Sequence, residues 1–361
     1  MTGAMYAAIA GLKAHMNKLN VIGNNTANVN TYGYKASSAS FKESLYTTIR
    51  AGSDGTGQVG GNNPSQMGYG CNVGSIITDM STGPTIPTGV NLDCMIQGSG
   101  FFMVGDKLAD GQVADPQNGL LLTRVGQFNF DSQGYLVDQY NNVVYGFVTC
   151  SKANADPGIC DKDNPQVSTQ LVPIRLPLQA KGNDTVLKGT AIFPGVAAGT
   201  GLNVYDPGGD TGISTGKTIE CNAESISIDP GTGKITATNG ADGSLLVVGY
   251  LALGSVANPS GVTHTEGPYY RAGEGAGSCS VVSFGDVLNG KNLDNKAAGA
   301  DGAVPIFGSG SDLLTGFLEG SGTDIATEFS EMITAQRGYQ ANTRIITVTD
   351  SMLEELVNMK R

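Results

Sequence analysis

Several stretches of this sequence carry residue types that could do chemistry. Thr211-Gly-Ile-Ser-Thr-Gly216-Lys217-Thr218 ends like a phosphate-binding loop, in which backbone N–H groups cradle phosphate oxygens and a lysine neutralises them. Such a loop needs glycine five positions before Gly216, where Thr211 stands, and the nearby Asp-Pro-Gly turns put the segment in a β loop. Asp161-Lys-Asp-Asn164 begins like a calcium loop, but Pro165 interrupts it and the sixth place holds no glycine. His264, in GVTHTEGPYY, reads as a surface histidine without a carboxylate pattern to make it a base. Cys71, Cys94, Cys150, Cys160, Cys221 and Cys279 form no C-x-x-C pair and lie far in sequence from His15 and His264, so zinc-site spacing is missing. Cys150 and Cys160 bracket the turn-rich SKANADPGI and are the candidate disulfide; they either close this small loop or remain thiols. No catalytic, metal-binding or cofactor-binding residue is assigned, no cofactor is expected, and the expectation is a protein that is not an enzyme.

The elements around these stretches fall into two kinds. At the N-terminus Met5, Ile9, Leu12, Met16 and Leu19 alternate in steps of four and three, a heptad stripe on a helix. The C-terminal sequence repeats the pattern through Ile325, Phe329, Met332, Gln336, Tyr339, Thr343, Ile346, Asp350, Leu353 and Val357. A second apolar line there runs through Ile345, Val348, Met352, Leu356 and Met359, so this helix wants more than one neighbour. Fewer than three heptads make a weak isolated helix, so both ends are expected to gain order by packing on each other and on other copies. Gln336, Thr343 and Asp350 recur every seventh residue and either set register or face water. The run Asn17, Asn20, Asn24, Asn25, Asn28 and Asn30 suits a channel or inter-subunit position, or a helix end fraying into a turn.

Between the ends the period changes to two. Phe128 and Phe130, then Asp131-Ser-Gln-Gly134, then Tyr135-Leu-Val137 read as a hairpin; Ile226 and Ile228, then Asp229-Pro-Gly-Thr-Gly233, then Ile235 read as a second. Three Asp-Pro-Gly turns at 156–158, 206–208 and 229–231 mark 147–244 as a turn-rich inserted β domain. The expected class is α+β: N- and C-terminal helices paired as a coiled-coil-like rod, with mostly antiparallel β domains inserted between them. The divisions are 1–40 with 318–361 for the helical rod, 41–75 for a connector, 76–146 with 245–317 for a β domain, and 147–244 for an outer β domain. Glycine-rich stretches at 51–61 and 272–280 read as connectors.

Composition narrows the function. There are 53 glycines and no tryptophan, 15% of residues are charged, and the formal charge is −11. Nucleic acid and anionic membrane, which select basic surfaces, are not expected partners. No apolar run reaches the roughly 18 residues of a spanning helix. The N-terminus has no basic residue before Lys13 and no compact apolar centre, unlike a cleaved secretory signal, although the composition suits a protein outside the cell.

Blocks at both ends and in the β region carry a resemblance. Asn20-Val-Ile-Gly-Asn-Asn-Thr-Ala-Asn-Val-Asn-Thr-Tyr-Gly-Tyr-Lys35 resembles the N-terminal signature of flagellar rod and hook proteins. So do Ile96-Gln-Gly-Ser-Gly-Phe-Phe-Met-Val104, Thr123-Arg-Val-Gly-Gln-Phe-Asn-Phe-Asp131 and Phe317-Leu-Glu-Gly-Ser321, and then Met332-Ile-Thr-Ala-Gln-Arg-Gly-Tyr-Gln-Ala-Asn342 with Asp350-Ser-Met-Leu353. Ser321-Gly-Thr-Asp324 departs from the family's Ser-Asn-Val-Asp, leaving Thr323 or Asp324 to cap the helix.

The resemblance implies a structural subunit that polymerises into a tube walled by the paired end helices. Polymerisation residues are then Met5, Ile9, Leu12, Met16, Leu19, Asn24, Asn25 and Asn28 on the first helix, and Ile325, Phe329, Met332, Gln336, Tyr339, Ile346, Leu353 and Val357 on the second. An insert at 147–244 implies the bendable hook rather than the shorter distal rod of the family. Implied partners are other copies of the chain, the distal rod protein, the hook cap protein, the hook–filament junction protein and the flagellar type III export apparatus. The implied location is the extracellular flagellum, reached without a cleaved signal peptide. A rival from another class, a non-polymerising extracellular β binding module, predicts rigid ends in the free monomer, where a filament subunit predicts mobile ones.

Overall fold

The computed structural model describes residues 2–54, 60–107, 119–131, 134–148, 171–174, 221–239, 245–285, 292–293, 304–305 and 307–359. The chain is α+β, with a helix at each end and mostly antiparallel sheet between them. It divides into two compact units, Met1–Asp79 with Ser321–Arg361, and Met80–Gly320. The Thr211–Thr218 and Asp161–Asn164 stretches, Cys150 and Cys160 lie outside the described residues.

In the first unit, α1 (Thr2–Ala27) is rich in alanine, leucine and methionine, good helix formers, and ends where the Asn-rich run turns, with Gly33 at φ 66°. Strands β1 (Ser37–Glu43), β2 (Tyr46–Arg50), β3 (Ser65–Gly68) and β4 (Cys71–Thr78) follow. β1 pairs with β4 and β2 with β3, so 37–78 is one long two-stranded hairpin broken at Ser44–Leu45. Residues 41–75, expected as a connector, thus carry parts of all four strands. Gly52, Gly60 and Gly61 lie beside the bridge between Ser53 and Asn62. Gly70, at φ 94°, lets the hairpin lie against α1: an added Cβ would sit 2.9 Å from the Ala7 carbonyl oxygen. The C-terminal helix α2 (Ile325–Met359) starts at Asp324, whose carboxylate accepts from the Ala326 N–H at 3.1 Å and the Thr327 hydroxyl at 2.6 Å. These bonds hold the Asp324 carboxyl below its ordinary value, so Asp324 is the cap.

The second unit contains β5 (Thr85–Pro87), β6 (Cys94–Gln97), β7 (Phe101–Gly105), β8 (Leu121–Thr123), β9 (Asn129–Phe130), β10 (Leu136–Val137) and β11 (Val143–Val148). Next come β12 (Val172–Pro173), β13 (Cys221–Ile228), β14 (Lys234–Asn239), β15 (Leu245–Val256), β16 (Thr263–His264) and β17 (Tyr269–Arg271). The last are β18 (Cys279–Phe284), β19 (Asn292–Leu293), β20 (Val304–Pro305), β21 (Phe307–Ser309), β22 (Asp312–Thr315) and β23 (Phe317–Glu319). β15 is the spine, hydrogen-bonded along its length to β14, β11, β7 and β18. Both expected hairpins form: β9 pairs with β10, and β13 with β14 in the register Ile228↔Ile235.

Alternation along β7 puts Phe102 and Val104 in one apolar cluster and Phe101 and Met103 in another, so this strand is buried on both faces. β15 does the same with Leu251 and Leu253 against Tyr250 and Ala252. Ile226, Ile228, Ile235 and Ala237, from the range expected as an insert, are buried in the first of these clusters. The 272–280 stretch is no connector: Glu274–Ala276 forms a 3₁₀ turn with Ala276 buried, and Cys279 opens β18.

Two early strands close against two late ones, β6 on β22 and β5 on β23. Beneath them Arg124, fully buried, pairs with the buried Glu319 at 3.8 Å and donates to the Gly98 carbonyl at 2.9 Å. Burial lowers the Arg124 pKa and the Glu319 charge opposes that shift. The other Glu319 oxygen accepts from the Gly83 N–H at 2.7 Å. Replacing Arg124 by Met removes this charged partner of Glu319 and the donor to Gly98, and R124M is expected to lose about 3–5 kcal/mol in urea unfolding of the full chain. Adding E319Q, which keeps the acceptor for Gly83, is expected to recover part of that loss.

Candidate assembly surface

Three faces of α1 have separate jobs. Gly3, Ala7 and Ala10 lie toward the hairpin, with Met67 and Gly70 near them. Ala8, Gly11, Ala14, Ile22 and Asn25 are buried. Tyr6, Ile9, Lys13, Met16 and Asn20 are exposed.

The contacts between α1 and α2 fix an antiparallel pairing. Asn25 meets Glu328, Lys18 meets Glu331, His15 meets Gly338, and Gly11 meets Asn342. Each step back along α1 is matched by a step forward along α2. The α1 side of this seam, Ala8, Gly11, His15, Lys18, Ile22 and Asn25, is itself a heptad, small or polar at every position but Ile22. On α2 the buried residues are Ala335 and Thr349. Small side chains let the helices approach closely. A Cβ on Gly11 would come 2.8 Å from the Asn342 amide nitrogen, and one on Gly338 2.5 Å from the His15 ring. That ring is boxed from another side by Phe41, edge-on at 5.4 Å, and its Nδ1 is buried without a hydrogen-bond partner.

Asn25 locks the far end of the seam. Its amide nitrogen donates to the Glu328 carboxylate and to the Ser37 carbonyl, both at 2.8 Å. Its oxygen accepts from the Ser37 N–H and the Tyr34 hydroxyl, both at 3.0 Å. Every hydrogen-bonding site of this buried amide is used, and it joins α1, β1, α2 and the loop after α1. The second Glu328 oxygen is buried and unpartnered. Burial raises the Glu328 pKa above its ordinary 4.5; the Asn25 bond and Lys18 oppose this, while Glu331 and Asp324 add to it. Lys18 meets Glu331 at 3.0 Å and lies over the Phe41 ring.

The residues chosen from the heptad stripes are mostly not on this seam. Met5, Leu12 and Leu19 are half-buried, while Ile9 and Met16 are exposed. Of the asparagines, Asn25 is buried, Asn28 half-buried and Asn24 exposed. On α2, Met332 and Ile346 are half-buried, whereas Ile325, Phe329, Gln336, Tyr339, Leu353 and Val357 are exposed. Ala8, Gly11, Ala14, Ile22, Ala335, Gly338 and Asn342 were not singled out. On α1 the signal that finds Ala8, Gly11 and Ile22 is the second heptad, offset three residues from Met5.

These features define an α+β protein whose two chain ends fold back on each other and leave large apolar side chains outside. Among the described residues no helix is long and apolar enough to cross a membrane. Residues 5–35 match the family described as "Flagella basal body rod protein", and residues 314–359 match "Flagellar basal body rod FlgEFG protein C-terminal". The chain is 31% identical over 361 residues to the flagellar basal-body rod protein FlgG of Bacillus subtilis, covering all of both chains. It is 24% identical over 477 positions to the flagellar hook protein FlgE of Treponema pallidum, again covering all of both. With the FlgE hook protein of Salmonella typhimurium identity is 25% over 425 positions, covering 98% of this chain and 99% of that one. The chain belongs to the flagellar rod and hook family, structural proteins of the flagellum.

Two predictions follow from the seam. Alanine is the better helix former by about 1 kcal/mol, yet G338A is expected to loosen the pair because its methyl meets the boxed His15 ring. Hydrogen exchange of α1 amides checks this; slower exchange than wild type contradicts it. Between pH 4.5 and the raised Glu328 value the folded chain holds more protons than the unfolded one, so stability falls as pH rises through that window. In E328Q, urea midpoints measured across the window are expected to lose that part of the slope.

Proposed function

We propose that this chain is a flagellar hook subunit that polymerises into a hollow, bendable tube joining rod to filament. The observation that carries the reading is the division of labour on the terminal helices. They satisfy each other through small and polar residues in facing heptads, a coiled-coil-like rod. Their large apolar residues face outward, with Phe329 50% and Val357 69% exposed. Burying one such side chain contributes about 1.5–3 kcal/mol, so a row of them on two helices favours association with further copies.

Met5, Ile9, Leu12, Met16 and Leu19, with Ile325, Phe329, Met332, Tyr339, Ile346, Leu353 and Val357, are the candidates for contact between copies. Asn24, Asn28 and Gln336 flank them as polar positions that set register. Asn25 is assigned a different role, holding the pair together within each copy. The hook reading is further supported by full-length similarity to chains named hook protein and by the long segment between β11 and β15. It implies export by the flagellar type III route without a cleaved signal, and addition under a cap protein, with the distal rod and hook–filament junction proteins at the two ends. The second reading, distal rod, is favoured by the FlgG name of the 31% identical relative.

Electron microscopy of polymers grown from the purified chain tests both. Curved tubes are expected for a hook and straight ones for a rod; a chain that stays monomeric at every concentration defeats either. Deleting 175–220 with a short linker in its place spares the strands packed in the core, and this variant is expected to form tubes that have lost curvature.

A further inference from the structure

The antiparallel register leaves one helix longer than its mate. Carried past Gly11 and Asn342, it sets the first residue of α1, Thr2, opposite Ser351. Met352–Met359 therefore extend beyond the end of α1, and every one of these residues is exposed. Met352, Leu353, Leu356, Val357 and Met359 make this overhang apolar, and Glu354 and Glu355 make it acidic. No basic residue lies in its last turn; Lys360 and Arg361 follow the helix.

One exposed surface of the same chain has the complementary character. The Tyr6, Ile9, Lys13 and Met16 stripe on α1 is apolar around a single cation, and α1 carries no acidic side chain at all. Its N-terminal turn has no carboxylate to answer the positive end of the helix dipole. At 1.5 Å per residue the stripe runs about 15 Å and the overhang about 10 Å, so the overhang fits within the stripe. An overhang cannot fold back onto its own α1, because it points away from it.

We infer that Met352–Met359 of α2 docks on the Tyr6–Ile9–Lys13–Met16 stripe of a second copy, with Glu354 or Glu355 beside Lys13. This rests on the polymer reading and names the contact within it. Overhang and stripe are different patches, so a head-to-tail contact leaves each added copy with a free overhang or a free stripe, and growth continues.

The test incorporates a photo-cross-linking amino acid at Ile9 and polymerises a mixture of ¹⁴N- and ¹⁵N-labelled full-length chains. Heavy-to-light cross-links ending within 352–359 are expected. Polymers whose cross-links end elsewhere overturn the docking while leaving the polymer reading intact; wild-type chains that never polymerise overturn both. Charge reversal gives a second readout that does not depend on the probe. K13E alone and E354K/E355K together are each expected to raise the concentration needed for assembly about tenfold, and the combination to restore it. No recovery in the combination overturns the pairing.

Discussion

Asn25 is the point on which the terminal unit depends. A helix end, a strand start, a loop and a second helix from the far end of the chain converge on one buried amide. Hydrogen bonds inside a protein are worth little net when made, but an unmade one in a buried site carries the full desolvation penalty. The amide is therefore less a source of stability than a constraint on arrangement, since any other placement of α2 would strand buried donors or acceptors. The close approach at Gly11 and Gly338 can persist because this node fixes where the helices begin to meet.

Placing small residues on the inner seam has an effect on everything outside it. A pair held largely by small and polar side chains, with Ile22 the large apolar exception on α1, leaves many large side chains exposed to other molecules. The same helices thus carry two kinds of contact with different chemistry. Polar and close-packed contacts act within the chain, and apolar contacts face outward. In the β unit the logic is reversed: β7 and β15 are buried on both faces, each between two apolar clusters.

Much of this was legible in the sequence, but unevenly. The helices at both ends followed from heptad spacing, and the β9–β10 and β13–β14 hairpins from alternation around turn residues. The seam was harder to read because Ala8, Gly11 and Gly338 carry almost no hydrophobic signal; their value lies in what they leave out. Asn25 could not be told from Asn24 in a run of asparagines, since only the fold decides which amide is enclosed. Residues 41–75 read as a connector because burial alternates only over 37–40 and 71–74, the rest of these strands is exposed on both faces, and glycine is frequent at 51–61. The 272–280 stretch misled for a related reason. Its glycines serve a tight turn, with Gly277 at φ 76°, and the single buried methyl of Ala276 is invisible to composition.

The buried pair of Arg124 and Glu319 has a consequence for time order. A chain that emerges amino end first presents Arg124, β5 and β6 long before Glu319, β22 and β23 exist to meet them. Loop closure over so long a separation is slow, and a guanidinium has no reason to leave water before its counter-charge arrives. The β unit is thus held from completing itself until almost the whole polypeptide is out.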